Sequence, residues 1–332
     1  VERSRGLGDV YKRQAYAVLG ELSLDGSIVA VNGVLPAAMA ANAGGLGLIC
    51  PQACGSEAAW ASADMRIVAA RNIIQIANHF RGTQILDRPT PVSRAASVSP
   101  LDMEHIKGQD EARRALEVAA AGGHNLLFCG PPGSGKSMLA QRLPSILPPL
   151  SPRELLEVSM ISSIAGELAE GRLSASRPFR APHHSASMAA MIGGGQKARP
   201  GEVSMAHQGV LFLDELPEFA PAVLDSLRQP IESGEAVVAR VNHRITYPAR
   251  FQLVAAMNPC RCGMAGEPGH VCARGPRCQS DYQARVSGPF MDRIDLRMSV
   301  PAVTVADLMV QRPSETSASV AERVAAARQV QH

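Results

Sequence analysis

The chain has 332 residues, enough for about two domains, with 33 Lys and Arg against 30 Asp and Glu, a net charge of +3, and 46% hydrophobic residues. That balance excludes a disordered polyelectrolyte and supplies apolar side chains for sizeable cores. Mean hydropathy is zero, and the one uncharged window, Gly26 to Ser56, is broken by Asn32, Pro36, Asn42 and Gly44-Gly45, so no apolar run of about 20 residues is available to span a bilayer.

Val1 to Gln14 opens without Met, carries four basic residues and shows no period continuing into the next segment; it reads as an artefact of sequence assembly and is set aside. From Tyr16 to Ile49 the pattern is strand, turn, strand, helix, strand: Ala17-Leu19 and Leu22-Leu24, the Asp25-Gly26 turn, Ile28-Val31, an Ala-rich helix from Leu35 to Ala43, a Gly44-Gly45 stop, and Leu46-Ile49. Arg66 to Phe80 adds a short strand and a helix. Leu86 to Pro100 has three prolines, three serines and no period, which marks a linker over about 86–100. Beyond it, Asp110 to Ala121 is a helix stopped by Gly122-Gly123, and the apolar runs Asn125-Cys129, Val210-Leu213 and Phe251-Ala256 have the length and flanks of buried parallel strands. Strands alternating with helices give a doubly wound α/β domain. The last segment, Ser314 to His332, stops within an Ala-rich helical pattern, as a fragment of a longer protein would.

Chemistry concentrates in the second domain. Gly130-Pro131-Pro132-Gly133-Ser134-Gly135-Lys136-Ser137 is a full phosphate-loop pattern between a strand and the helix Lys136-Leu143. Its backbone amides and helix N-terminus suit phosphates, Lys136 suits the β and γ oxygens of a nucleotide, and the Ser137 hydroxyl suits Mg²⁺. The strand Val210-Leu213 ends in Asp214-Glu215, a metal carboxylate and a base for attacking water, although an apolar strand ending in two acids is common by itself. Phe251-Ala256 leads to Met257-Asn258, and Asn258 is either a polar sensor of the γ-phosphate or the start of a turn before Pro259.

With Ile106-Lys107-Gly108-Gln109, Arg177 to His184 (RPFRAPHH), Pro200 to Phe219, Phe251 to Gly263 and Ser287 to Leu296 (SGPFMDRIDL) added, the chain resembles the magnesium-chelatase-like ComM/YifB family of AAA+ ATPases over nearly all of Ala15 to Val303. The resemblance implies an AAA+ domain over 101–303, nucleotide contacts from Ile106, Gly108 and Gln109, and a truncated helical lid beginning at 304–332. It makes Arg293 an arginine finger reaching a neighbouring subunit's nucleotide, against a plain salt bridge to Asp292 or Asp295. It also implies a cytoplasmic hexamer that uses ATP and Mg²⁺ to move DNA, as a helicase promoting branch migration in natural transformation or recombination. A magnesium-chelatase motor subunit and a nucleotide-gated chaperone or scaffold are the alternatives. Residues 15–85 resemble part of a Lon-protease-like domain at Gly20-Gly26 and Asn32-Leu35; the catalytic lysine's position there is Leu35, and the serine's falls upstream of Ala15.

Two further patterns remain. Asp214 lies 78 residues beyond Lys136, too far for one βαβ step, so structure is inserted between them. Gly171 to Gly201 holds Arg172, Arg177, Arg180, Lys197 and Arg199 and no acid, and Ala236 to Ser280 holds six arginines against Glu267. The alternation Val237 to Thr246 reads as a hairpin turning at Asn242-His243 with Arg240 and Arg244 near its tip, similar to the family's pre-sensor hairpin, a DNA-contacting device in related ring motors. These basic stretches are either phosphate-backbone contacts or solvated loops. Seven cysteines with no leader in front point to a reducing compartment. Four of them, Cys260, Cys262, Cys272 and Cys278, meet the demand of a tetrahedral Zn²⁺ or are free loop thiols; Cys50, Cys54 and Cys129 read as unliganded. His183-His184 has no acid or thiol near it in sequence and is not read as a metal site.

Overall fold

The computed structural model describes residues 15–94, 101–168, 171, 173–195, 198–239, 244–265, 272, 274–275, 277–303 and 315–331. Contacts divide the chain into two compact units, residues 1–96 with 151–175, and 97–150 with 176–332. Residues 151–175, expected within the ATPase domain, thus group with the N-terminal segment.

The first unit has a three-stranded parallel sheet in which the central strand is β2 (Gly47–Pro51), flanked by β1 (Tyr16–Val18) and β3 (Ile67–Ala70). Helix α1 (Val34–Ala43) buries Val34, Leu35, Ala38 and Ala41, and α2 (Ile73–Arg81) starts where the Asn72 side chain accepts from Gln75 N. The helix Pro152–Ala165 is opened by a reciprocal Ser151-Glu154 capping box and closed by Gly166 in the left-handed region. Inside this unit the buried Glu57 carboxylate accepts from Leu35 N and Ser163 Oγ, which leaves neither donor unpaired. The expected short strand at Leu22-Leu24 is a two-residue ladder, Glu21–Leu22 against Ile28–Val29.

The second unit opens with α3 (Asp110–Gly122), whose first turn carries Asp110 and Glu111 at the positive end of the helix dipole. Its sheet contains β4 (Leu126–Cys129), β5 (Phe179–Arg180), β6 (Val210–Leu213), β9 (Gln252–Met257) and β10 (Leu296–Ser299), in the order β10-β4-β9-β6-β5 and parallel throughout. Side chains alternate between the sheet's faces. Leu126, Phe128, Val210, Phe212, Val254 and Ala256 enter one core, while Leu127, Leu211, Leu213, Leu253, Ala255 and Met257 enter the other. Both faces are covered, so the strands read as continuous apolar runs. The insertion between phosphate loop and acidic strand supplies β5, the edge strand beside β6. Strands β7 (Glu235–Ala239) and β8 (Arg244–Pro248) form the expected antiparallel hairpin, with Ala239 opposite Arg244. Its turn, including Arg240, Asn242 and His243, lies outside the described residues.

Helix α5 (Cys278–Gln283) follows β9 through a long loop. Helix α6 (Ser317–Gln331) buries Val320 and Val324, one turn apart, in the core that also holds Leu116 and Ile146. The expected helix over Lys136-Leu143 is shorter, α4 (Lys136–Ala140), and the chain turns through Gln141-Arg142 before Leu143–Ile146. Among the described residues no helix is long and apolar enough to cross a membrane.

Candidate functional site

The carboxyl ends of β4, β6 and β9, adjacent in the sheet, bring three loops to one edge, the usual location of a ligand crevice in an open α/β sheet. A cavity of about 340 Å³ there is lined by Pro132, Gly133, Gly135, Lys136, Ser137, Asp214, Glu215 and Asn258. Five of the residues expected at a nucleotide site from three separate stretches of sequence (Lys136, Ser137, Asp214, Glu215 and Asn258) therefore share one hollow.

Within it Lys136 Nζ donates to Gly130 O and Pro131 O, each at 2.7 Å, and to Asn258 Oδ1 at 3.2 Å. Burial pushes the Lys136 ammonium below its ordinary range, and the nearby Asp214 carboxylate opposes that shift. Ser137 Oγ donates to Asp214 Oδ2 at 2.7 Å, so a hydroxyl and a carboxylate converge where a hard divalent cation takes oxygen ligands. Gly133 and Gly135 have φ of +78° and +93°, and a Cβ on either would meet open space; their backbone is constrained while the room beside them is free. At Gly130 the constraint is contact, because a Cβ would lie 1.9 Å from Val300 O. Ser134 Oγ is buried without a hydrogen-bond partner in this loop. This donor-rich cradle, with its orphaned hydroxyl and a Ser/Asp oxygen pair, fits a nucleotide triphosphate with Mg²⁺.

Glu215 stands at the rim, 53% exposed, with a left-handed backbone (φ 53°) unusual for a side chain of its size. Its Oε2 lies 3.1 Å from His184 Nδ1. The expectation that no acid lies near His183-His184 is corrected by this contact: β5 runs beside β6 and carries His184 to the acid that follows β6, though they are 31 positions apart in sequence. The rings of His183 and His184 lie 4.0 Å apart between centroids. They join no group of three ligands among the described residues.

Of the remaining expected nucleotide contacts, Gln109 has φ 60° and its Nε2 donates to Ser134 O and Pro301 O. Gly108 precedes it with φ 64°, and Ile106 is buried in the core beside Met103. A second hollow, of about 290 Å³, is bordered by Gln109, Asp110, Ser299 and Pro301.

The four clustered cysteines also meet: their Sγ atoms all lie within 4.8 Å of one another, with Cys260 and Cys278 buried. Cys260 to Cys262 is 2.8 Å and Cys262 to Cys272 3.1 Å. Burial raises the Cys260 thiol, but hydrogen bonds from Cys262 and from backbone N–H groups, including that of Ala265, outweigh it and bring it to about 7. Cys50 is buried elsewhere, its thiol pushed by desolvation up to about 12.

The basic stretches are less uniform than their sequence. Arg180 forms a two-pronged pair with Glu202, one residue past the acid-free stretch, at 2.7 and 2.9 Å, and Arg177 donates to Pro148 O and Gln208 O. Both are taken up by the fold, which corrects their reading as a field open to phosphates. Arg172 and Lys197 lie outside the described residues. Arg199, Arg244, Arg250, Arg261, Arg274 and Arg277 are exposed. Arg293 pairs through Nη2 with Glu232 and donates from Nη1 to Pro289 O. Asp295, a partner anticipated from sequence, instead accepts from Asn125 N.

Comparison with known proteins agrees with this geometry. The family model for magnesium chelatase, subunit ChlI, matches residues 102–308. The competence protein ComM of Haemophilus influenzae is 43% identical over 329 residues, covering 97% of this chain and 64% of its own length. The YifB protein of Salmonella typhimurium is 42% identical over 325 residues, 96% of this chain and 63% of its own. The magnesium-chelatase 38 kDa subunit of Rhodobacter capsulatus is 30% identical over 195 residues, 53% of this chain and 56% of its own. The chain thus spans about 63% of the length of its ComM and YifB relatives.

Proposed function

Because the chain belongs to the ComM/YifB group of the magnesium-chelatase-like AAA+ family, we propose that it is an ATPase that couples ATP hydrolysis to DNA remodelling. In this reading it works as a cytoplasmic hexameric helicase promoting branch migration in natural transformation or recombination. The observation that carries the ATPase reading is the meeting of Lys136, Ser137, Asp214, Glu215 and Asn258 in one cavity at the carboxyl edge of the sheet.

Each residue takes a role from its place. The amides of Gly133, Ser134 and Gly135 and the N-terminus of α4 hold the phosphates, and Lys136 neutralises the β and γ oxygens. Ile106, Gly108 and Gln109 border the base and sugar. Ser137 and Asp214 hold Mg²⁺, which supplies charge neutralisation on the transferring phosphoryl group. Glu215 orients and deprotonates the attacking water, and Asn258, hydrogen-bonded to Lys136, senses the γ-phosphate. Arg293 serves the neighbouring subunit's nucleotide, adding positive charge where the transition state needs it. Zinc at Cys260, Cys262, Cys272 and Cys278 completes the cofactor set.

The DNA part rests on the β7-β8 hairpin, with exposed Arg244 at the foot of its turn, and on similarity to a competence protein. Residues 15–85 fit a partial Lon-like domain in which Leu35 occupies the lysine position. ATP hydrolysis measured with and without single- and double-stranded DNA tests the reading. Stimulation by DNA supports it. Hydrolysis indifferent to DNA would favour a chelatase-type motor, and no hydrolysis a nucleotide-gated scaffold.

A further inference from the structure

The thiol cluster sits against the nucleotide loop. Met257, the last residue of β9, accepts from Gly130 N, and the next residue is Asn258, whose Oδ1 accepts from Lys136 Nζ. Two residues later Cys260 enters the cluster. Gly263, at φ 86°, is packed so tightly on the phosphate loop that a Cβ would lie 2.8 Å from Pro132 Cδ and Cγ. On the other side Cys278 begins α5, and Gln283 of that helix donates to Pro259 O. One loop thus touches the phosphate loop at Pro132, carries Asn258 at its start, and closes on itself through four sulfurs.

The described residues of that loop build almost no apolar core of their own. Among its described residues between 259 and 277 only Cys260 and Gly263 are buried. Segments without a core of their own are commonly fixed by a metal whose binding energy becomes folding energy. The sulfurs are spaced for one: 2.3 Å bonds in a tetrahedron put neighbouring sulfurs about 3.8 Å apart, inside the 2.8 to 4.8 Å range here. Among the described residues no carboxylate or imidazole joins the group, and a set of four thiolates selects a soft, tetrahedral ion over Mg²⁺ or Ca²⁺.

We propose that the metal held by Cys260, Cys262, Cys272 and Cys278 is a clamp on the ATP site, seating Gly263 against Pro132 and Asn258 against Lys136, so that nucleotide affinity depends on zinc. This rests on the reading of the cluster as a zinc site and of the cavity as an ATP site, and adds the coupling between them. The metal would take no part in the hydrolysis and would act by position alone. Without it the loop relaxes, Pro132 loses its support, and the phosphate loop must be ordered at the expense of binding.

The test uses the whole chain, purified without chelator. Elemental analysis should give one zinc per chain, and cobalt exchanged into the site should show the intense absorption of thiolate bound to tetrahedral Co²⁺. Removing zinc with a strong chelator should weaken binding of a fluorescent ATP analogue at least tenfold. Stoichiometric Zn²⁺ should restore it, while far-ultraviolet circular dichroism changes little. Gly263→Ala provides a separate arm: it should keep one zinc per chain and still weaken the analogue severalfold, because its Cβ displaces Pro132. A chain without zinc and without the cobalt signature overturns the metal site. A chain that holds zinc but binds the analogue equally well with and without it overturns the clamp. Failure to bind the analogue even in the zinc-loaded protein would overturn the ATP-site reading instead.

Discussion

His184 Nδ1 stands 3.1 Å from Glu215 Oε2, across two neighbouring parallel strands, and this contact holds the acid's side chain at the mouth of the cavity. A glutamine at 215 keeps an oxygen that can meet the same imidazole but removes the basic carboxylate. Glu215→Gln should therefore bind ATP with near-normal affinity and hydrolyse it about 10² to 10⁴ times more slowly, the usual contribution of a general base. Lys136→Ala should lose ATP binding itself. Calorimetric affinity beside single-turnover hydrolysis checks both, and equal loss of binding in the two variants would contradict the separate roles.

Arg293 rests on Glu232, an acid 53% exposed, and surface pairs of this kind contribute under about 1 kcal/mol. Arg293→Ala should accordingly melt within a few degrees of the parent and bind ATP, yet fail in turnover. Mixed with Lys136→Ala protein, it should regain activity at interfaces that join an intact phosphate loop to an intact finger. No recovery at any mixing ratio, with subunit exchange demonstrated, would rule out action between subunits.

Arg240 and Arg244 are the phosphate-binding side chains proposed on the hairpin. Replacing both by Ala should weaken DNA binding uniformly across sequences. It should reduce the magnitude of the slope of log K against log salt by about 0.7 to 0.9 for each phosphate no longer neutralised. Basal hydrolysis should persist, since Arg244 is not among the described residues that line the ATP cavity. An unchanged slope would remove the hairpin from the DNA interface.

The clasp between α3 and α6 gives a pH dependence. A hydrogen bond from Arg323 holds the Glu117 carboxyl below its ordinary 4.5, burial works against this, and Arg114 adds to the lowering. A depressed carboxyl pKa contributes stability that is fully present above the unfolded value and is lost as pH falls through the folded one. The melting temperature should thus be flat from about pH 7 to 5.5 for this group and fall below about pH 4.5. Glu117→Gln should cost about 1 kcal/mol at neutral pH and reduce that acid-side loss. Identical acid profiles for the two proteins would remove Glu117 as a contributor.

How much the sequence discloses depends on how local each signal is. Val210–Leu213 is legible to the residue, and Leu126–Cys129 and Gln252–Met257 to within one position, because both sheet faces are buried and the apolar run is continuous. Phe179–Arg180 is not, as two residues between Pro178 and Ala181-Pro182 offer no period to read. Leu296–Ser299 escapes notice as a strand because its half-buried pattern includes the exposed Arg297. The phosphate loop stands out because its residues are contiguous. His184 cannot be linked to Glu215, nor Arg293 to Glu232, from sequence, because those pairs exist only once strand order and helix packing are known. Arg180 looks uncompensated within Gly171 to Gly201 only because its partner, Glu202, is the next residue along the chain.

All three hydrogens of the Lys136 ammonium are committed, to Gly130 O, Pro131 O and Asn258 Oδ1. An entering anion must trade its own oxygens against carbonyls and an amide already in place, so what counts is the difference between two sets of charged-group bonds, each worth about 1.5 to 3 kcal/mol net. A lone phosphate offers little advantage in that trade. On the proposed reading a polyphosphate chain would meet the amides of Gly133 and Gly135, the lysine and a cation at Ser137 together, so the loop would discriminate by the length of what it is asked to hold.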